Sequence, residues 1–520
     1  MIKKIKKLFK GMILIMAAAN TIGCATSNSV KNSSSSIELE NLNKLTDMQI
    51  LMAEKAVKTQ ADNNPIAIHK FSADPAVLIY NDTVYIYATN DNQEVEVTKG
   101  EKSNGYGNIN TLNVFSSKDL INWTDHGEIA VAGKRNVKGV AKWANNSWAP
   151  AICTKKIDGK DKFFLYFADN GSGIGVLTSD SPTGPFVDPL GTQLVSWGTP
   201  NIKVAKETSE IKSVIWLFDP AVFVDDDGKG YLYFGGGVGD DKEHPVTGRC
   251  AALSDDMIHL DDKPVAIDAP WLFEDSGINK FGDTYYYSYC ANWSNRNGDN
   301  SAPPAATIAY MTSKNPLGPF EYKGYTLKNP SSYFGPAGGG NNHHWIFTFK
   351  GKNYIAFHAP TVEKGLGLKE GGYRSLFITD FKINDDGSFP IQNATKKGVE
   401  QVGKFNPYET IPAATMHSSN GISVTKTQSI ANVKDNAYLC IKGVDLSKGA
   451  SKIKFEFSDD TKGSVKVMLD NWASGEQIAE INAKGSKGEA QIALPASLKD
   501  ETNLFFVFSG NIEVISWVIE

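Results

Sequence analysis

A polar turn followed by an aromatic, alternating run occurs five times between residues 81 and 356, and a chain that repeats one short β signal so often is not built around a single sheet. The copies are Asn81-Asp82-Thr83-Val84-Tyr85-Ile86-Tyr87, Lys160-Asp161-Lys162-Phe163-Phe164-Leu165-Tyr166, Asp227-Gly228-Lys229-Gly230-Tyr231-Leu232-Tyr233, Gly282-Asp283-Thr284-Tyr285-Tyr286-Tyr287 and Lys350-Gly351-Lys352-Asn353-Tyr354-Ile355-Ala356. Asp, Asn and Gly favour tight turns, and the runs after them suit strands with a face in a core. A second β element follows each copy, beginning at Asn113, Ile174, Cys250, Ile308 and Arg374. Two β elements alternating five times at irregular spacing predict an all-β fold: a five-bladed β-propeller, each blade four antiparallel strands packed around a channel.

The flanks differ in texture. Lys3, Lys4, Lys6, Lys7 and Lys10 precede an apolar stretch, Gly11 to Ile22, that is too short to span a bilayer as a stable helix. Residues 1–23 are therefore expected to be an export signal, and Thr21-Ile22-Gly23-Cys24 resembles a bacterial lipobox, which implies lipidation at Cys24 and anchorage to the cell envelope; plain secretion is the alternative. Residues 24–65 read as a Ser/Asn-rich tether and a short helical lead-in, and 66–402 as the propeller. Beyond Gly403, alternating runs such as Lys452–Phe457 and Ser464–Leu469 predict a β-sandwich (jelly-roll) over 403–520. Cys153, Cys250, Cys290 and Cys440 are too scattered for a disulfide framework or a zinc site and read as buried free thiols. With a net charge of −5 and no long basic run, the body of the chain is suited neither to nucleic acid nor to an acidic membrane surface, so a lipid anchor is the one membrane association expected.

One short motif occurs twice, as Asp74-Pro75-Ala76-Val77 and Asp219-Pro220-Ala221-Val222, each just ahead of the first strand of a repeat. The proline biases the Asp towards extended backbone. First strands of a propeller line its channel, so carboxylates at their entry ends converge on one face. Glu274, in Leu272-Phe273-Glu274-Asp275-Ser276-Gly277-Ile278, takes the corresponding place in the fourth repeat, with Asp275 beside it as a lesser candidate. A lone Asp before proline is ordinarily a turn or cap residue; the recurrence is what points to acid–base chemistry.

The array Ala73-Asp74-Pro75, Trp148-Ala149-Pro150, Phe218-Asp219-Pro220, Phe273-Glu274 and Asn341-Asn342-His343-His344 is similar to that of the family 43 glycoside hydrolases over about residues 65–402. The resemblance implies a five-bladed propeller and hydrolysis with inversion, with Asp74 as general base, Glu274 as general acid and Asp219 as the group that orients the acid and tunes its pKa. The chemistry agrees: one carboxyl must be protonated to serve the leaving oxygen and another ionised to activate water, about 6.5–9.5 Å away for inversion. A third carboxylate beside the acid keeps it protonated. Many family members have Glu-Gly-Pro where this chain has Glu274-Asp275-Ser276.

No cofactor is required by this resemblance, but His343 matches the position where the family holds a structural calcium, often through waters; His344 is the weaker candidate, and a His satisfied by backbone groups is the alternative. Arg374 matches a residue at the pocket floor, where a fixed guanidinium can bind a sugar hydroxyl and a carboxylate together, or it is a surface ion pair. Trp148 and Phe218 are candidate walls against the sugar ring, or core. Residues from about 404 resemble a family 6 carbohydrate-binding module through Asn406-Pro407-Tyr408-Glu409 and Ile441-Lys442-Gly443-Val444-Asp445, but the usual Gly-Gly-Trp and Asn-Asp-Trp patterns are missing. Tyr438 and Trp472 are candidate substitutes in glycan binding, and a buttress for the propeller is the other role open to the unit. Together these resemblances imply an exo-acting enzyme that releases terminal arabinofuranose from arabinoxylan, arabinan or a related plant polysaccharide. The alternatives are a β-xylosidase or endo-arabinanase on the same carboxylates, and a non-catalytic glycan-binding surface protein.

Overall fold

The structure, a computed structural model, describes residues 39–520 except 337, 338 and 486; the expected export signal and Cys24 lie outside the described residues. Each polar turn of the repeat reverses the chain between two antiparallel strands, so every repeat opens as a hairpin. Five antiparallel sheets follow in chain order. The first is Ala73–Tyr80, Thr83–Thr89, Thr111–Ser117 and Trp123–Ala130; the second Trp148–Ile157, Lys160–Ala168 and Ile174–Ser179; the third Ala221–Val224, Gly230–Gly235, Gly248–Leu253 and Val265–Ile267; the fourth Leu272–Phe281, Thr284–Ala291, Ile308–Ser313 and Glu321–Leu327; the fifth His344–Phe349, Lys352–Ala359 and Ser375–Asp380. The strand Ala73–Tyr80 contacts Trp148–Ile157, which contacts Ala221–Val224, then Leu272–Phe281, then His344–Phe349, which returns to Ala73–Tyr80. Separate apolar clusters lie between the sheets, such as that of Tyr166, Phe164, Leu232 and Phe234 between the second and third.

Two sheets have three strands where four were expected. In the second, the outer segment meets Ile174–Ser179 only by isolated bridges, Val187 with Thr178 and Val195 with Ile174, and the first is flanked by Pro185 and Pro189, which have no amide to give a ladder. Beside the fifth, the stretch before the first sheet runs in its place: the Ile66 amide donates to Leu376 O at 3.0 Å and the Ser72 amide to Arg374 O at 2.8 Å. The start of the repeat region is thereby tied to its last strand.

Beyond residue 404 the chain forms two further antiparallel sheets over a common core that includes Ile453, Phe455, Val465, Val467, Phe506 and Trp517. One of its strands leaves them: Thr415–Met416 pairs with Trp123 and Thr124 and extends the outer edge of the first sheet. Asn122 binds the Lys442 backbone both ways, Nδ2 donating to its carbonyl at 2.8 Å and Oδ1 accepting its amide at 2.9 Å. Of the helical lead-in, Asp47–Lys55 is an α-helix, started by a capping box of Thr46 and Gln49. Its Met48 and Met52 pack on Phe71 and Val95 of the first repeat, and Ala53 O accepts the Gly421 amide at 2.8 Å. The helix therefore joins the two parts of the chain. Cys153, Cys250, Cys290 and Cys440 are buried free thiols.

Candidate active site

The inner strands are disturbed where they enter their sheets. Pairing skips from Ala73–Thr89 to Ala76–Tyr87 in the first sheet, from Trp148–Ala168 to Ala151–Tyr166 in the second, and is irregular twice between Leu272 and Gly277 in the fourth. Asp74 (φ 51°), Ala149 (35°) and Asp275 (67°) sit at these points in the left-handed region, and so does Asp219 (48°), two residues before the regularly paired strand Ala221–Val224. The extended backbone expected ahead of Pro75 and Pro220 is thus overturned. Some bulges place a residue in that region, Asp tolerates it better than most, and the kink turns its side chain out of the strand's alternation. Such backbone costs about 1–3 kcal/mol per residue and is typical of sites where geometry is imposed.

Register corrects a second expectation. Asp74, Ala149, Asp219 and Asp275 each stand two residues before a paired position of the inner strand, at Ala76, Ala151, Ala221 and Gly277, and His343 stands two before Trp345 in the fifth sheet. Asp275, not Glu274, is therefore the counterpart of Asp74 and Asp219, and Glu274 lies one residue earlier. The three aspartates meet at His343. His343 Nδ1 is 3.5 Å from Asp74 Oδ1 and 3.8 Å from Asp219 Oδ2, and its Nε2 is 3.1 Å from Asp275 Oδ1.

Asp74 is held as an anion. Arg374 donates to its Oδ1 from one terminal nitrogen at 2.7 Å, while Nε and the other terminal nitrogen hold Asp91 at 2.9 and 2.8 Å. The Asp74 amide donates to His358 Nδ1 at 3.1 Å, and the other ring nitrogen of His358 is 3.1 Å from Asn341 O. Burial alone raises the Asp74 carboxyl, but Arg374, His343 and His358 outweigh it and hold it well below the usual carboxylate range. Arg374 is buried rather than a surface ion pair. Asp91, fully buried at the start of the helix Asp91–Thr98, was not anticipated, because an Asp in a helix's first turn reads as an ordinary partner for the helix dipole. Replacing it by Asn sets an amide NH2 against guanidinium donors. Asp91→Asn is expected to cost about 3–5 kcal/mol of stability, the range for halving a buried ion pair, as read by denaturant unfolding.

Glu274 has the opposite environment. It is 7% exposed, and its Oε1 has no hydrogen-bond partner. Burial pushes its carboxyl well above the usual range, and the charges of Asp219, Asp74 and Asp275 add to this against the weaker opposing effect of Arg374. Asp219 is raised as well, by burial first and then by Asp74, but its Oδ2 accepts the Asp275 amide at 2.9 Å. Of the two raised groups, the one with a donor on its oxygen bears the negative charge more easily, so Glu274 keeps the proton. Asp275 is fixed in turn: its Oδ2 accepts from His344 Nδ1 at 2.6 Å and its Oδ1 accepts the His344 amide at 3.2 Å, while His344 Nε2 meets Ser288 Oγ at 2.7 Å.

Aromatic rings surround this cluster. Tyr106 has the Arg374 guanidinium 5.1 Å above its ring, burial pushes its hydroxyl up to about 12, and its carbonyl accepts from the half-buried Trp148 indole at 3.0 Å. Phe218, the second candidate wall, packs with Leu217 and Val222 in the core, the other of the two roles open to it. Trp216 lies 6.0 Å from the Phe218 ring and is 42% exposed. Trp293 is 50% exposed and stands edge-on to Phe273, the residue before Glu274. Neither Trp belongs to a motif; only its exposure in the folded chain marks it.

The expected calcium position does not fit direct coordination. Calcium takes six to eight oxygens at about 2.3–2.6 Å, whereas His343 offers nitrogens, and these face three carboxylates. Among the described residues no three His, Cys, Asp or Glu side chains are grouped to hold a metal ion.

The chain is similar to known proteins over most of its length. Residues 63–389 match the glycosyl hydrolases family 43. The chain is 40% identical over 476 residues to an arabinoxylan arabinofuranohydrolase of Paenibacillus polymyxa, covering 87% of this chain and 73% of that protein. It is 41% identical over 474 residues to the Bacillus subtilis (strain 168) protein of the same name, covering 86% and 90%. A crystal structure of a family 43 arabinoxylan arabinofuranohydrolase from Bacillus subtilis in complex with cellotetraose superposes with a TM-score of 0.83 at 40% identity, covering 90% of this chain and 99% of that one.

Proposed function

The chain belongs to glycosyl hydrolases family 43, and from that premise we propose that it removes terminal arabinofuranose from arabinoxylan by direct displacement with water. The observation that carries this is the contrast between two carboxyls of one cluster: Asp74 is clamped by Arg374, and Glu274 is buried without a donor. In this reading Asp74 takes a proton from water, which attacks the anomeric carbon while Glu274 protonates the departing oxygen. Asp219, tied to the backbone beside Glu274, keeps the acid oriented and protonated until that moment. Asp74, Asp219 and Glu274 are only 5–7% exposed, which suits a narrow pocket that admits one terminal sugar rather than a chain running through. Trp216 and Trp293, exposed beside it, offer faces to the polysaccharide that leaves.

The same proposal takes the five sheets as a closed five-bladed propeller, supported by the return of contacts from His344–Phe349 to Ala73–Tyr80, and residues 403–520 as a β-sandwich. Asn122, Thr415–Met416 and the lead-in helix support a buttressing role for that unit. Export, with Cys24 as lipid anchor, completes the picture for an enzyme that acts on an extracellular polymer.

Comparing 4-nitrophenyl arabinofuranoside with the xyloside, and Asp74→Asn as control, tests the assignment: turnover is expected on the arabinoside, and the first-formed sugar, followed by NMR, has inverted configuration. Turnover confined to the xyloside, or retained configuration, contradicts it. The raised Glu274 pKa also has a consequence for stability. Above the unfolded glutamate's pKa the unfolded state loses a proton that the folded state keeps, so this group's contribution to stability is lost as pH rises. Glu274→Gln is therefore expected to melt above the wild type by a margin that widens between about pH 5 and pH 8, measured by calorimetry.

A further inference from the structure

Arg249, on the strand Gly248–Leu253, is fully buried, and among the described residues no carboxylate pairs with it. Its donors go to backbone carbonyls alone: Nε to Asn201 O at 2.8 Å, one terminal nitrogen to Val246 O at 3.0 Å and Gly248 O at 2.8 Å, the other to Lys212 O. A buried cation without an ion-pair partner is costly, and burial pushes this guanidinium down to about 10, with Glu207 offsetting only part of it. Only its rigid fork can reach separate carbonyls at once. Two of those carbonyls, at 201 and 212, belong to the long strandless segment between the second and third sheets, and the other two lie at the start of Arg249's own strand.

That segment ends on Trp216. The Val214 amide donates to Ile202 O at 2.9 Å, closing the segment on itself, and the Trp216 amide donates to Gly236 O at 3.0 Å. The indole lies where two glycines leave room for it. A Cβ on Gly171 would stand 2.2 Å from Trp216 Cε3, and one on Gly237 would stand 2.7 Å from Cδ1. Trp216 is thus exposed yet fixed, three residues before Asp219, and the Gly237 amide donates to Phe273 O at 2.7 Å, next to Glu274.

We propose that Arg249 is a positioning residue that holds the 201–216 segment, and through it the Trp216 indole, at the mouth of the site, and so sets the enzyme's preference for a polysaccharide over a small leaving group. The proposal rests on Trp216 facing the departing chain, as in the function above. Misplacing that face by an ångström penalises only substrates long enough to reach it.

The test compares kcat/KM on an arabinofuranose-substituted xylo-oligosaccharide with kcat/KM on 4-nitrophenyl arabinofuranoside for the full chain. Arg249→Lys, which keeps the charge but not the fork, and Gly171→Ala, which pushes the indole directly, are each expected to lower the oligosaccharide-to-aryl ratio about tenfold. In a Trp216→Ala background Arg249→Lys should change the ratio no further. Equal loss on both substrates makes Arg249 merely structural and overturns the proposal, as does an unchanged ratio in Arg249→Lys alongside a fall in Gly171→Ala. An unchanged ratio in Trp216→Ala also overturns it, but leaves the carboxylate assignment standing. Should Arg249→Lys not fold, amide exchange of the wild type decides: Val214 and Trp216 are expected to exchange as slowly as the third sheet, and exchange at the rate of an exposed loop would overturn the proposal.

Discussion

Glu274→Ala is expected to lower kcat on arabinoxylan by about a thousandfold, the middle of the range for losing a general acid. On 4-nitrophenyl arabinofuranoside the loss should be far smaller. A sugar hydroxyl leaves poorly as an alkoxide and needs its proton in the transition state, whereas nitrophenolate is stable without one. The discrimination follows from where the proton sits. Glu274 Oε1 has no donor on it, and burial together with Asp219, Asp74 and Asp275 keeps the carboxyl protonated. Rate constants for the variant on aryl arabinosides of graded phenol acidity should fall steeply as the phenol weakens. A flat dependence would mean that Glu274 does not deliver the proton.

Asp74→Asn should be as damaging by a different route. The substitution leaves an oxygen for Arg374 but cannot take a proton from water, so a loss of about a thousandfold is expected for good and poor leaving groups alike. Single-turnover kinetics on the two substrate types measure this, and a loss restricted to poor leaving groups would transfer the acid's role to Asp74. Asp91 and Arg374 remain paired in this variant, so its fold should persist and the defect should lie in kcat rather than in the amount of folded protein.

Much of this was legible in the sequence because the signals were local and repeated. Each polar turn and aromatic run marked a hairpin, and the two Asp-Pro-Ala-Val motifs marked two inner strands. The backbone at those motifs was not legible: proline's local preference for an extended neighbour gave way to a bulge that only the sheet's register explains. The same bulge hid the equivalence of Asp275 with Asp74, since a carboxylate at 274 and another at 275 look interchangeable until pairing fixes which one follows the skip. Asp91 was missed because its partner Arg374 is 283 residues away, and no local pattern encodes such a pair. Trp216 was missed for a related reason: alternation along a strand tells which residues share a face, but not which residues of a preceding loop stay exposed. The edge strand Thr415–Met416 carried no signal of crossing to the first sheet, because two residues are too few to show a period.

The account stands on a proton at Glu274 and none at Asp74. Neutron diffraction from deuterium-exchanged crystals at neutral pH reads both directly. Deuterium on a Glu274 carboxyl oxygen, with Asp74 bare between Arg374 and His343, is the expected result; deuterium on Asp74, or a bare Glu274, would contradict it.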